Sequence, residues 1–253
     1  MERDHPPSEE SYFVSMTDML VGMLFIFLIL LMYFALQLSQ QREQYEIENR
    51  RLKDSAEERT RILEEVKRDL EVQGVQVSVD LSTGVLRLPN EILFSKGRAD
   101  VSAEGAKALT ILAGSLQKVL PCYTESGRDA KDADCEDTPH RIEALFIEGH
   151  TDSDPIAAGA NFKDNWELST ARATETYRAL VSAHAGLESL SSAIGEKSQP
   201  ILSVAGYSDR RPVVEGEDEA AKSTNRRIDL RLIMVSPRPD AIADIDGQIA
   251  PPP

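Results

Sequence analysis

From Met19 to Leu38 the chain reads MLVGMLFIFLILLMYFALQL, with no charged side chain and only Gln37 strongly polar. About twenty such residues, at 1.5 Å of rise each, cross the roughly 30 Å hydrocarbon core of a bilayer. The block is therefore expected to be a transmembrane helix over 14–38, after a cytoplasmic N-terminus of 1–13. A signal peptide would show a positive n-region, a shorter apolar block and a small-x-small cleavage site, and the sequence has none of these. In a chain of 253 residues such a helix leaves room for a spacer and one domain of ordinary size.

Asp18 stands at the mouth of the block, in the run Ser15-Met16-Thr17-Asp18-Met19. A carboxylate at that depth carries a large desolvation cost. Two uses fit it. It can be a proton carrier that loads and releases, or an acid that merely ends the helix or caps its N-terminus, where the dipole favours negative charge. Ser15 and Thr17 offer oxygens to a metal ion as readily as hydrogen bonds to the carboxylate. The candidate ion-translocation residues are thus Asp18, Thr17 and Ser15, with H+ or Na+ as the coupling ion.

Net charge is −15, and the apolar block contributes none of it, so the acidity belongs to the parts that meet water. Nucleic acid is excluded as a partner, because Arg50-Arg51, Arg210-Arg211 and Arg226-Arg227 stand in an acidic background and make no basic patch. The only two cysteines, Cys122 and Cys135, lie in one polar stretch at a spacing that permits a disulfide in an oxidising compartment. The alternative is two unrelated thiols. Zinc is not expected, since His140 has no second histidine at ligand spacing.

Residues 39–73 are highly charged, free of Gly and Pro, and rich in Glu, Arg, Gln and Leu, so they should continue the membrane helix into water as a helical spacer. A heptad frame is recognisable, with Arg42, Asn49, Ala56, Leu63 and Leu70 at a and Tyr45, Leu52, Arg59 and Val66 at d. That frame favours a parallel two-stranded coiled coil, with Asn49 setting the register; the alternative is a solvated single helix with accidental spacing.

Beyond Gly74, alternation in Val75–Val79 and Val85–Leu88 predicts two short strands joined by a turn at Ser82-Thr83-Gly84. Helices follow over Ala103–Val119 and Asn165–Ala183, and core strands over Ile142–Glu148, Ile201–Tyr207 and Arg227–Val235. The last of these sets Ile228, Leu230, Leu232 and Met234 on one face. The expected fold class is α/β: a sandwich over 74–236, with helices covering one face of a mixed sheet. Residues 237–253, proline-rich and without a hydrophobic period, are expected to be a disordered tail.

Four ordered motifs then carry a resemblance: Ile147-Glu148-Gly149-His150-Thr151-Asp152, the run Asn165-Trp166-Glu167-Leu168-Ser169-Thr170-Ala171-Arg172-Ala173, Gly206-Tyr207, and Asn225-Arg226-Arg227-Ile228. Together they resemble the OmpA-type peptidoglycan-binding domain over roughly Val75 to Val235, and the Asn-Trp-Glu-Leu-Ser form resembles its MotB branch. The resemblance implies that Asp152 and Arg172 hold the diaminopimelate of the peptidoglycan stem peptide. A zwitterionic amino-acid end needs a carboxylate for its ammonium and a guanidinium for a bidentate grip on its carboxylate, which suits that pair. Asn165, Leu168, Arg226 and Arg227 could line the same pocket; for each the competing role is a surface ion pair or a helix cap. The loop Ser153–Asp164 is longer than in outer-membrane relatives. His150 adjoins the site, but no nucleophile motif or ligand set accompanies it and there is no phosphate loop, so neither an enzyme nor a bound cofactor is expected.

An acid at the start of a lone membrane helix, a helical spacer and a peptidoglycan-binding domain occur in this order in ion-driven motor subunits of the MotB and ZorB kind. That resemblance implies an inner-membrane homodimer inside a pentamer of a MotA-, ZorA- or ExbB-like partner, with the C-terminal domain in the periplasm. Protonation of Asp18 would alter its attraction to the surrounding ring and let the ring step, while the wall grip holds the dimer still. The short acidic N-terminus favours the ZorB-like form, which serves anti-phage defence, over a flagellar stator. A passive peptidoglycan tether that carries no ions is a further reading. Charge bias points the other way on topology. Arg42, Arg50, Arg51 and Lys53 follow the span, whereas only Arg3 stands among Glu2, Asp4, Glu9 and Glu10 before it, which by itself would put the C-terminus in the cytoplasm.

Overall fold

A run without Gly or Pro from Met23 to Gln73 makes a single long helix the local optimum, and α1 spans Glu9–Val72. It stops at Gly74, whose φ of +82° turns the backbone left-handed while the Val75 N–H donates back to the Leu70 carbonyl at 2.9 Å. The computed structural model describes residues 9–95, 97–129, 135, 138–157, 159–194 and 197–236. The expected tail, 237–253, lies outside the described residues, as does 1–8 of the N-terminal segment. The chain divides into two compact units, the first of described residues 9–52 and the second within residues 53–238.

Within the first unit, α1 is long and apolar enough to cross a membrane. Its apolar side chains from Met19 to Leu38 are exposed on every side, as for a helix whose surroundings are lipid or other helices. Asp18 is exposed, and Thr17 Oγ1 donates to the Phe13 carbonyl one turn back at 2.8 Å. Because α1 begins at Glu9, Asp18 sits inside the helix, beyond the first turn where the dipole stabilises an anion. Its reading as an N-terminal cap is set aside.

The second unit opens with the last turns of α1. Ile62, Leu63, Val66 and Leu70 are buried in the core of the domain. Leu63, Val66 and Leu70, expected on a coiled-coil seam, are thereby occupied within their own chain, and Arg59 donates to the Ser82 carbonyl, so a two-stranded seam has only Arg42 to Ala56 left to it. The chain continues as β1 (Ser78–Asp80), β2 (Val85–Pro89), α2 (Asn90–Leu93), α3 (Ala103–Val119), α4 (Glu125–Asp129), β3 (Ile142–His150) and α5 (Asn165–Ala183). It closes with β4 (Ser191–Ile194), β5 (Lys197–Pro200), β6 (Leu202–Gly206), α6 (Glu219–Asn225) and β7 (Arg227–Met234). Cys122 and Cys135 form a disulfide beyond the end of α3.

The main sheet has the order β1-β2-β7-β3-β6, antiparallel except where β3 and β6 run parallel, and β4 and β5 form a separate hairpin. Strand alternation divides its two faces. Leu86 and Leu88, Leu145 and Ile147, and Ile228, Leu230 and Leu232 are buried in one core with Leu109, Leu112 and Leu116 of α3 and Ala173 and Leu180 of α5. Arg87, Glu148, His150, Arg227, Asp229 and Arg231 take the alternate positions of the same strands. The fold class is α/β, with a long apolar N-terminal helix followed by an α/β domain.

Candidate functional site

The site forms where β3 ends and α5 begins. Gly149 and Gly206 are register partners on β3 and β6. A Cβ on Gly149 would lie 2.0 Å from the Ser169 carbonyl oxygen, and one on Gly206 would lie 2.2 Å from Thr170 Oγ1. Two glycines side by side thus let α5 rest directly on the sheet. Ser169 Oγ, buried at that contact, donates to the Trp166 carbonyl at 3.0 Å and accepts from the Ser208 N–H at 3.1 Å. Asp164 caps α5 through the Glu167 N–H at 2.9 Å, and the Glu167 carboxylate accepts from the Lys163 N–H at 2.7 Å. Asn165 Nδ2 donates to the carbonyls of Asp152 (3.3 Å) and Asp154 (2.9 Å). The first residue of α5 is therefore tied to the segment that carries Asp152.

Asp152 is buried. Its Oδ1 accepts from the Asp154 N–H at 3.2 Å, and its Oδ2 from Arg226 Nη1 at 2.8 Å. Arg226 also donates through Nη2 to Glu91 on α2 (3.1 Å) and Glu219 on α6 (2.7 Å), both of them exposed acids. Burial works against the Arg226 charge, but the bonds to Asp152, Glu219 and Glu91 outweigh it and raise its pKa. Lys222 donates to Asp154 at 2.7 Å and closes the same edge.

Arg172 is different in kind. Its residue is 1% exposed, its Nε donates to the Arg98 carbonyl at 2.9 Å, and its guanidinium carbon lies 5.6 Å from the centre of the Phe94 ring. Among the described residues nothing hydrogen-bonds to its two terminal nitrogens. Burial depresses its pKa to about 10, with Asp152 acting upward and Arg226 downward. A buried cation with two unused donor groups, within the field of a carboxylate that is itself held by another arginine, is arranged to take an external carboxylate in two parallel bonds.

The structure brings Asp152, Arg172, Asn165 and Arg226 together. Leu168 is buried on α5 outside the main core cluster. Arg227 requires a correction. Its side chain points to the other face of the sheet and donates to Asp229 (3.0 Å), the Asn225 carbonyl (3.2 Å) and the Arg211 carbonyl (3.0 Å). Arg226, extended between α6 and β7, and Arg227, the first residue of β7, face opposite ways and so do not both line one pocket. Asn225 instead pins the preceding loop, accepting from Val213 N–H (2.8 Å) and donating to the Val214 carbonyl (2.8 Å). Glu91, Glu219, Phe94 and the Arg98 carbonyl escape sequence reasoning. Two are acids on short helices that leave no periodic pattern, one is an ordinary apolar residue, and the last is a backbone group.

Beneath the site the second face of the sheet carries a charge ladder. Arg87, Asp229 and Glu148 are aligned across β2, β7 and β3. Arg231 grips Glu148 in two bonds, at 2.8 and 2.9 Å. Burial opposes the Glu148 charge, yet His150 and Arg231 hold its pKa down to about 2. His150, 1% exposed, lies with Nε2 3.5 Å from Asp229 and 3.9 Å from Glu148, and it stacks on Tyr207, over whose ring Arg211 lies at 3.8 Å. Burial pushes the imidazole pKa down. Glu148, His150 and Asp229 could in principle ligate a metal. The two carboxylates are already engaged by Arg231 and Arg227, however, and the nearby guanidiniums disfavour a dication.

No protein-family model matches the chain, and neither does any curated protein. Among solved structures, the chain is similar to a protein from Desulfovibrio vulgaris described as MotB-like, at 22% identity and a TM-score of 0.44, over 76% of this chain and 97% of that one. It is similar to the periplasmic domain of Helicobacter pylori MotB, at 17% identity and a TM-score of 0.44, over 66% of this chain and 87% of that one. It is also similar to the cell wall anchor of the T6SS from Pseudomonas aeruginosa, at 22% identity and a TM-score of 0.46, over 71% and 99%.

Proposed function

We propose that this chain is a peptidoglycan-anchored subunit of an ion-driven motor in the bacterial inner membrane. The observation that carries the anchor is the buried Arg172 guanidinium, whose two terminal nitrogens have no hydrogen bond among the described residues, in the field of Asp152. That pair matches the carboxylate and ammonium at the free end of a diaminopimelate side chain. Asn165 and Arg226 hold Asp152 in place from both sides.

The motor half of the reading rests on α1. Asp18 stands inside the helix at the edge of the apolar span, and an ionisable residue there is by default a functional group. With Thr17 and Ser15 it would pass H+ or Na+ while a dimer of this chain stands within a pentameric MotA/ZorA/ExbB-like partner. The domain is taken to be periplasmic, the compartment that holds both peptidoglycan and oxidised cysteines. The ZorB-like, anti-phage form is favoured because α1 runs from Glu9 to Val72 without a break for a separate amphipathic plug.

Native mass spectrometry of the detergent-extracted complex, co-expressed with the multi-span membrane protein encoded beside it, tests the motor. A dimer of this chain with a pentamer of the partner supports it. This chain recovered alone leaves a tether. Asp18→Asn should then abolish ion-driven work and leave binding to isolated sacculi unchanged; full activity in that variant would remove Asp18 from the mechanism.

A further inference from the structure

We propose that Trp166 is a saccharide-binding residue, whose indole forms a platform for the amino sugar bearing the stem peptide that Asp152 and Arg172 hold. The proposal rests on the peptidoglycan reading above and extends it from the peptide to the glycan.

Trp166 is 47% exposed, the one aromatic side chain so exposed among the described residues of the 53–238 unit. Half an indole left in water forgoes a large burial gain, so its location matters. It is the second residue of α5, directly after Asn165, whose side chain is bonded to the Asp152 carbonyl. Its own carbonyl accepts from Ser169 Oγ, and the Asp164 cap holds the turn that contains it. The backbone under the exposed ring is thus fixed by the same hydrogen bonds that fix the site. Thr170, one turn later on the same helix face, seats against Gly206. Trp166 thus lies one helical turn before the seat of α5 on Gly206, the register partner of Gly149 near the end of β3.

The chemistry of the ligand matches this division. A diaminopimelate end is charged and suits Arg172 and Asp152. A pyranose ring is apolar on its C–H faces and polar around its rim, which suits a rigid indole that leaves the hydroxyls in water. A ligand carrying both parts should gain about tenfold in affinity over the peptide alone, the range of one good aromatic contact.

Trp166 is the only tryptophan in the chain, so the emission of the intact protein reports on this position. The detergent-solubilised full chain is titrated with a diaminopimelate-containing stem tetrapeptide and with the same tetrapeptide on its disaccharide, by fluorescence and by calorimetry. The disaccharide form should shift the emission to the blue and bind about tenfold tighter. Trp166→Ala should erase that difference while leaving tetrapeptide affinity as it was, and Trp166→Phe should restore most of it. Equal affinity of the wild type for both ligands overturns the proposal. So does an equal loss of both in Trp166→Ala, with the fold checked by circular dichroism, since that marks a positioning role. Wild-type chain that binds neither ligand refutes the peptidoglycan reading itself and the saccharide contact with it.

Discussion

Replacing Arg172 by methionine should separate binding from folding. The side chain is buried, and the fall of its pKa from 12.5 to about 10 means that the folded environment disfavours the charged form by about 3 kcal/mol. Methionine fills a similar volume without a charge to desolvate. Against that gain stand the lost bond to the Arg98 carbonyl, worth about 1–2 kcal/mol, and the contact with Phe94, worth about 0.5–1 kcal/mol. Asp152 is not stranded, because Arg226 still holds it at 2.8 Å. The balance is close to zero or stabilising by about 1 kcal/mol, a rise in melting temperature of about 2–4 °C. The pKa stays well above neutrality, so this contribution is flat with pH through the physiological range and relaxes only as the pH rises past about 10. Retention on isolated sacculi should meanwhile weaken by about 2–5 kcal/mol, the loss for one partner of a desolvated charge pair. Urea unfolding followed by circular dichroism, beside sacculus co-sedimentation, measures both. A variant destabilised by about 3–5 kcal/mol would make Arg172 a structural ion-pair partner, and one that still pellets with sacculi would remove it from the site.

Gly149→Ala should destabilise the domain by about 1–3 kcal/mol or more, because its Cβ would lie 2.0 Å from a helix carbonyl that cannot move without lifting α5; urea midpoints measure it, and a neutral result would refute the direct seating of α5. Stability should fall in two acid steps. Unfolded His150 takes up a proton that the buried, down-shifted imidazole resists, so stability is lost as the pH falls below about 6.5. Glu148, held near 2 in the fold, contributes stability that is lost between its unfolded value of 4.5 and about 2. His150→Asn should erase the upper step and Glu148→Gln the lower one in unfolding curves taken across pH. Opening the Cys122–Cys135 bridge, whose residues are 13 apart, should cost about 3 kcal/mol by loop entropy, read as a lower melting temperature with reductant.

Much of this architecture is legible along the chain. Helices α3 and α5 begin and end where the periodicity puts them, since Ser102 and Asp164 sit at the N-caps and accept from the third residue beyond. The alternation of Ile228, Leu230 and Leu232 gives β7 its buried face, and the apolar block gives α1 its span. Asp152 and Arg172, expected from their motifs, lie at the end of β3 and on α5, close enough for the carboxylate to act on the guanidinium. The β4–β5 hairpin and α6 leave no comparable pattern, being short and mostly polar.

Local periodicity, capping and hydropathy are properties of neighbouring residues, and any short stretch of the chain carries them whole. Tertiary structure alone decided which neighbours meet across the fold. Leu63, Val66 and Leu70 fit a heptad seam equally well, and only the presence of a core beside them turned them inward. Arg226 and Arg227 look alike in sequence, but the extended backbone that leads from α6 into β7 sends one to Asp152 and the other to Asp229. Glu148 and Asp229 become partners of the same ladder only through the register of β3 on β7. Register and packing depend on contacts between distant segments, whose free energy no short stretch of sequence contains.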